Sequence, residues 1–199
     1  MLATAPSPDA PQVWTELMDG NRRFVAGAPQ ARDLVRERQA AAMVRHPRAM
    51  VLACSDSRVA PDIIFDQRLG DLFVVRVAGN TADALGIGSI EYAAEHLGAS
   101  LLVVLGHQEC AAVRVACSGE KLASPHLKAV IKAVRNSFPA DQSAGTNPEE
   151  LRRAEKQNVR FVARTLLERS ELLHRRVADG NLSVIAAHYM LDTGIVERL

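Results

Sequence analysis

The chain has 199 residues, of which 48% are hydrophobic and 24% charged, and its net charge is +1. This is one domain's worth of sequence, and its balanced charge excludes the strongly basic surface that nucleic-acid binding requires. No segment approaches the roughly 20 apolar residues of a membrane helix, and three cysteines are too few for a disulfide scaffold, so we expect a cytoplasmic protein that binds neither nucleic acid nor membranes.

The first residues predict an arm followed by two helices. Residues 1–12 are rich in Pro, Ala and Ser and lack the pattern of a signal peptide, so we expect a flexible arm, with residues 13–199 forming a single domain. Apolar residues at helical spacing predict an amphipathic helix over residues 13–26, which ends at Gly27. Residues 32–45 predict a second, more polar helix.

Short apolar runs alternate with helical segments in the rest of the chain. The runs that predict strands are residues 49–53, 72–75, 100–105 and 182–187. The segments that predict helices are residues 84–97, 109–116 and 148–178, the last as one long helix or two consecutive ones, and residues 139–147 predict a flexible loop. Continuously apolar strands indicate a sheet covered on both faces, so we expect an α/β fold with a mainly parallel sheet of about four strands and flanking helices.

Three metal-binding side chains follow the ends of two predicted strands. Cys54 comes directly after the first strand, and His107 and Cys110 follow the third. A helix beginning here would place His107 and Cys110 on one face and would favour the Cys110 thiolate. Two thiolates and one imidazole suit zinc, and three protein ligands leave a fourth position for water, as in catalytic zinc sites. Taken singly, each residue has a simpler interpretation as a buried structural side chain.

Asp56 and Arg58 lie two and four residues beyond Cys54. We expect the guanidinium of Arg58 to pair with the Asp56 carboxylate, to keep it ionised and to hold it off the metal. The alternative is a surface salt bridge, which contributes little to stability. Cys117 lies within ordinary helical sequence and is interpreted as an inert thiol.

Several segments together resemble the β-class carbonic anhydrases over nearly the whole chain. They are CSDSR at residues 54–58, GHQEC at 106–110, LMDGNRRF at 17–24, GDLFVVRVAGN at 70–80 and YMLDTG at 189–194. The resemblance implies one Zn²⁺ per chain, bound by Cys54, His107 and Cys110, with Asp56 and Arg58 as the catalytic pair. It implies that zinc-bound hydroxide converts carbon dioxide to bicarbonate and a proton. It also implies a homodimer or homotetramer whose N-terminal helical arm packs on a partner subunit.

The same resemblance places five residues around the substrate pocket: Arg45, Phe73, Ala78, Tyr92 and Ala111. In the family, part of this lining comes across a dimer interface. Val51 stands where one bacterial subgroup has Trp, so the chain resembles the other bacterial subgroup, in which the zinc position is open. Arg45 replaces the Gln usual in that subgroup, and Ala111 replaces the Gly that usually follows the last ligand.

Two other functions remain open from the sequence. The same metal site could hydrolyse carbonyl sulfide or carbon disulfide, as relatives with this scaffold do. Alternatively, the chain is a zinc-binding homologue that has lost catalysis and serves a structural or regulatory role. The presence of Asp56 and Arg58 counts against the last hypothesis, because a purely structural site needs neither.

Overall fold

A five-stranded sheet forms the centre of the computed structural model, which describes residues 9–42, 46–138 and 147–199. Its strands, in chain order, are β1 (Ala49–Ala53), β2 (Leu72–Arg76), β3 (Leu101–His107), β4 (Ser183–Tyr189) and β5 (Val196–Arg198). They lie in the order β2-β1-β3-β4-β5, with β1 to β4 parallel and β5 antiparallel to β4. The predicted α/β fold is confirmed. The strand β5 was missed because three residues are too short for a recognisable pattern.

Helices cover both faces of this sheet. Those in the described residues are α1 (Ala10–Val25), α2 (Leu34–Ala41), α3 (Pro61–Ile64), α4 (Ala84–His96), α5 (Ala111–Ser118), α6 (Pro125–Arg135), α7 (Pro148–Arg169) and α8 (Glu171–Ala178). Alternate strand residues face α1 and α3 on one side and α4, α7 and α8 on the other. The continuously apolar strands follow from this double coverage. None of the helices in the described ranges has the length and apolar character needed to cross a membrane.

The helices α3 and α6 were not predicted. The sequence does carry the signals of α6, since Ser124 accepts a hydrogen bond from the His126 amide and Pro125 follows at the start of the helix. The segment 148–178 forms two consecutive helices. Ser170 ends α7 and caps α8 by accepting a hydrogen bond from the Leu173 amide. The predicted loop falls mainly on residues 139–146, which lie outside the described residues.

The helix α1 packs against its own chain. Val13 and Leu17 are buried in the core on one face of the sheet. The buried side chain of Asn21 donates hydrogen bonds to the carbonyls of Ile64 and Gly194, and its oxygen accepts one from the Val196 amide. This single side chain therefore joins α1 to α3 and to the β4–β5 hairpin.

In contrast, α2 contributes no buried residue in the single chain. Its first two residues, Leu34 and Val35, are 59% and 56% exposed, and Leu69 is exposed as well. A helix of eight residues gains little stability in water without a packed apolar face. The expected packing of the N-terminal helical arm on a partner subunit stays a prediction, and residues 1–8 lie outside the described ranges.

Candidate metal centre

Three buried side chains converge beyond the carboxyl ends of two neighbouring strands. Cys54 follows β1, His107 is the last residue of β3, and Cys110 is the residue immediately before α5. Because β1 and β3 pair in parallel, their carboxyl ends lie side by side. One ligand atom from each of the three residues lies within 4.8 Å of the others. The structure thus brings together the trio predicted from the sequence.

The geometry of His107 and Cys110 differs from the expected one. They do not share a helical face, because His107 still belongs to β3 and α5 begins only at Ala111. Between them, Glu109 has a positive φ of 56°. This tight turn folds Cys110 back towards the end of the strand, and so a sharp turn, rather than helical spacing, brings the two side chains together.

The ring of His107 is oriented for a metal ion. Its Nδ1–H donates a hydrogen bond of 2.8 Å to the carbonyl of Gln108. Its Nε2 is fully buried and has no hydrogen-bond partner among the described residues. A buried nitrogen of this kind costs free energy unless it is satisfied, and a metal ion beside two sulfur atoms would satisfy it. The donor set of two sulfurs and one nitrogen therefore fits zinc.

A hydrogen bond between the two thiols shifts their pKa values in opposite directions. A hydrogen bond from Cys110 lowers the pKa of Cys54. The same hydrogen bond, together with burial, raises the pKa of Cys110, although the amides of Ala112 and Val113 act in the opposite direction. Burial lowers the pKa of His107, but its interactions with Cys54, the Gln108 carbonyl and Asp56 together outweigh burial, so the net shift is upward. Metal binding would therefore release a proton from this cluster.

Residues after β2 hold the loop that carries Cys54. The Gly79 amide donates to Cys54 Sγ at 3.2 Å. Arg76 donates from Nε to the Cys54 carbonyl at 3.0 Å and from Nη2 to the Asp56 carbonyl at 2.5 Å. Gly79 has φ 69°, and a Cβ there would lie 2.6 Å from Val134 Cγ2, so only glycine fits. The roles of Arg76 and Gly79 were not predicted from the sequence.

Asp56 and Arg58 form a bidentate ion pair close to the predicted metal ligands. Asp56 Oδ1 accepts hydrogen bonds from the backbone amide and Nε of Arg58, and Oδ2 accepts one from Nη2 at 2.8 Å. These bonds hold the pKa of Asp56 well below its usual range. Arg58 Nη2 also reaches the Glu109 carbonyl at 3.2 Å, which ties the Cys54 loop to the His107–Cys110 turn.

The predicted pocket residues do not all lie near this centre. Ala78 precedes Gly79, whose amide touches Cys54, and exposed Ala111 follows Cys110. Phe73 instead pairs with Met50, four residues before Cys54, which corresponds to about 13 Å along the strand. Tyr92 is 51% exposed on α4, with its ring against His96. Arg45 lies outside the described residues.

Two polar residues of α7 reach the site and were missed from the sequence. Glu155 accepts a hydrogen bond from the Cys110 amide, and Asn158 donates one to the Gly79 carbonyl. Both lie on the buried face of α7, among residues such as Leu151 and Val162. The available signal was a pair of polar residues inside an apolar helical stripe, which is unusual unless both side chains are hydrogen bonded.

The sequence is similar to those of known proteins over most of its length. A family model described as carbonic anhydrase matches residues 49–196. Carbonic anhydrase 2 of Mycobacterium tuberculosis is 38% identical over 193 residues, which cover 95% of this chain and 92% of that protein. The carbonic anhydrase of Mycolicibacterium smegmatis is 37% identical over 196 residues, covering 96% and 94%.

Solved structures show the same fold. A structure of the tetrameric β-carbonic anhydrases of Sordaria macrospora superimposes with a TM-score of 0.72 at 26% identity, covering 81% of this chain and 84% of that one. The similarity therefore extends over most of both chains.

Proposed function

Because this chain belongs to the β class of the carbonic anhydrase family, we propose that it converts carbon dioxide reversibly to bicarbonate and a proton. One zinc ion per chain would be held by Cys54, His107 and Cys110. The observation that carries this proposal is the convergence of these three buried side chains, with His107 Nε2 unpartnered in the described structure. When bound, zinc supplies the Lewis acidity that makes water nucleophilic near neutral pH, a property best known from carbonic anhydrases with three histidine ligands.

Asp56 would accept a hydrogen bond from the reacting water. Its Oδ1 already accepts two hydrogen bonds from Arg58, whereas Oδ2 accepts one. Because each carboxylate oxygen can accept more than one hydrogen bond, Oδ2 retains capacity for a proton of the water. Such a bond directs the remaining lone pair of the water towards carbon dioxide.

Arg58 would act through Asp56. The guanidinium of Arg58 donates to both carboxylate oxygens of Asp56 and offsets their charge. This pairing keeps Asp56 ionised and disfavours its approach to the metal. The additional bond of Arg58 to the Glu109 carbonyl holds the pair over the turn that carries two of the ligands. Asp56 and Arg58 are thus expected to fail together when either is changed.

The pocket would be completed by a second copy of the chain. Phe73 and Tyr92 lie away from the ligands of their own chain, so they would line the site of a partner. The apolar residues exposed on α2 would be covered in the same assembly, as a homodimer or homotetramer. A tetramer is described for the Sordaria relatives. Light scattering should give an oligomeric mass, and a stable monomer would refute this part of the proposal.

A reducing compartment such as the cytoplasm would suit this site. All three cysteines are free, and Cys54 and Cys110 lie close enough to react with each other if oxidised. Oxidation of this pair would remove two of the three proposed ligands. Fractionation of the native cells should therefore find the protein in the cytoplasm.

The test is stopped-flow carbon dioxide hydration by the zinc-loaded protein, compared with Cys110→Ser and Cys117→Ser. Cys110→Ser should lose both zinc and activity, because it removes a soft ligand from a three-residue site. Cys117→Ser is the matched control, since this thiol lies on α5 outside the trio, and it should retain both. Full zinc and activity in Cys110→Ser would refute the assignment. Hydrolysis of carbonyl sulfide without carbon dioxide hydration would instead support the alternative substrate.

A further inference from the structure

One buried face of α7 touches the segments that carry Cys110 and His107, and it reaches Cys54 through Gly79. Asn158 and Val159 lie three and four residues after Glu155, so the three residues share one face of the helix. Glu155 contacts Cys110 itself, and Val159 lies against Gly106, the residue before His107. Asn158 contacts Gly79, whose amide donates to Cys54 Sγ.

Glu155 supports Cys110. Glu155 is only 2% exposed, and each of its carboxylate oxygens lies beside a polar nitrogen. Oε1 accepts the Cys110 amide at 2.9 Å, and Oε2 lies 3.1 Å from His188 Nε2 on β4. His188 is fully buried, with its Nδ1 3.6 Å from Glu197 Oε1, which in turn pairs with Lys156 Nζ at 2.7 Å. A buried carboxylate is tolerated only when it is paired. The contact with His188 therefore holds the carboxylate in one orientation, with Oε1 towards the Cys110 amide.

Asn158 supports Cys54 through one intermediate residue. Its Nδ2 donates to the Gly79 carbonyl at 2.9 Å, and Asn158 is completely buried. The Gly79 amide in turn donates to Cys54 Sγ. The side chain of Asn158 therefore fixes the direction of a hydrogen bond received by one of the two sulfurs.

Val159 sets the distance between α7 and the strand that carries His107. A Cβ at Gly106, the residue before His107, would lie under 3.0 Å from Val159 Cγ2. The helix therefore lies directly against the β3 backbone at this point. This close contact leaves Glu155 and Asn158 little freedom to move relative to the ligands.

We propose that Glu155 and Asn158 are positioning residues of the metal centre, each holding one thiolate ligand in place, with His188 fixing the orientation of Glu155. The inference rests on the proposed function, because it assumes zinc at this site. Neither residue would touch the metal. Outer contacts of this kind orient the ligands, and their loss commonly weakens metal binding by about 10- to 100-fold.

The test is the rate at which the zinc-loaded protein loses its metal to a chromogenic chelator. Glu155→Leu leaves the Cys110 amide without its acceptor and should release zinc at least about tenfold faster. Glu155→Gln should release zinc at nearly the wild-type rate, because its carbonyl can accept from Cys110 and its amide can donate to His188 Nε2. Asn158→Ala should accelerate release through the Cys54 side of the site.

Glu91→Leu is the matched control, because Glu91 on α4 accepts a hydrogen bond from Ser170 Oγ, which lies between α7 and α8. It should lower thermal stability and leave zinc release unchanged. The sulfur-to-cobalt absorption bands of the Co²⁺-loaded protein should shift in Glu155→Leu and Asn158→Ala only, since a loss of stability alone would not change them.

Wild-type release rates and spectra in folded Glu155→Leu and Asn158→Ala would overturn the inference, as would equal acceleration by Glu91→Leu. If Glu155→Leu does not fold, Asn158→Ala and its comparison with Glu91→Leu decide the question. A wild-type chain that takes up no zinc would refute the proposed function itself, which is a separate result.

Discussion

Gly106→Ala should strain the contact between β3 and α7. The added methyl would lie under 3.0 Å from Val159 Cγ2, whereas ordinary apolar contacts are about 4 Å. The helix and strand must separate, or Val159 must leave its preferred rotamer. Overpacking of this kind costs about 1–3 kcal/mol, which for a chain of this size lowers the melting temperature by roughly 2–12 °C.

Val159→Ala should partly rescue this variant. Alone, it removes two buried methyl groups and should itself destabilise the protein. Combined with Gly106→Ala, it clears the space that the new methyl needs, so the double variant should be more stable than the sum of the single effects by about 0.5–3 kcal/mol.

Thermal unfolding at one protein concentration and fixed zinc measures these effects, because oligomer and metal both shift the melting temperature. Gly88→Ala is the control, since Gly88 lies on the exposed side of α4 with nothing within 4 Å of an added Cβ, and it should be neutral or stabilising. A wild-type melting temperature in Gly106→Ala, or strictly additive effects in the double variant, would refute the packing argument.

The remaining predictions concern catalysis. Asp56→Asn should slow carbon dioxide hydration while zinc stays bound. Adding Arg58→Ala should reduce the hydration rate little further, because the two side chains form one hydrogen-bonded unit. Additive losses of rate in stopped-flow assays would contradict this. Arg45→Gln, alone and with Ala111→Gly, should weaken inhibition by anions, because it removes a permanent positive charge. Turnover should rise by on the order of tenfold, equivalent to about 1.4 kcal/mol. Unchanged kinetics in both variants would show that the two positions do not affect catalysis. Co-expression of the Tyr92→Ala and Cys110→Ser chains should restore activity that each variant lacks alone. In the mixed oligomer, a site with a complete metal centre receives an intact Tyr92 from the partner chain. No recovery of activity would place Tyr92 outside the partner's site.

Local patterns in the sequence were sufficient to predict four of the five strands in the described part of the chain. The strand β1 has the predicted bounds, and β2, β3 and β4 differ by two residues or fewer at each end, because continuous apolar runs are typical of strands covered on both faces. The strand β5 was not predictable in this way, because its position depends on pairing with β4 through residues such as Tyr189 and Val196.

The proposed ligands could also be predicted, because parallel strands bring their carboxyl ends together. The turn at Glu109 could not, since a positive φ in a non-glycine residue has no clear sequence signal. Glu155 and Asn158 contact residues 45 and 79 positions away, and only the packing of α7 on the sheet creates those contacts. Sequence patterns therefore predict which residues bind, whereas the residues that hold them in place depend on tertiary structure.

The hydrogen bonds of Asn21 have a consequence for the order of folding during synthesis. This residue is made early, yet two of its partners, Gly194 and Val196, lie 173 and 175 positions later. The helix α1 can therefore complete its docking only after residues 194–196 have emerged from the ribosome. Contacts so distant along the chain slow folding and leave apolar surface exposed meanwhile. During translation, the packing of α1, which buries Val13 and Leu17, would therefore stay incomplete until β5 pairs with β4.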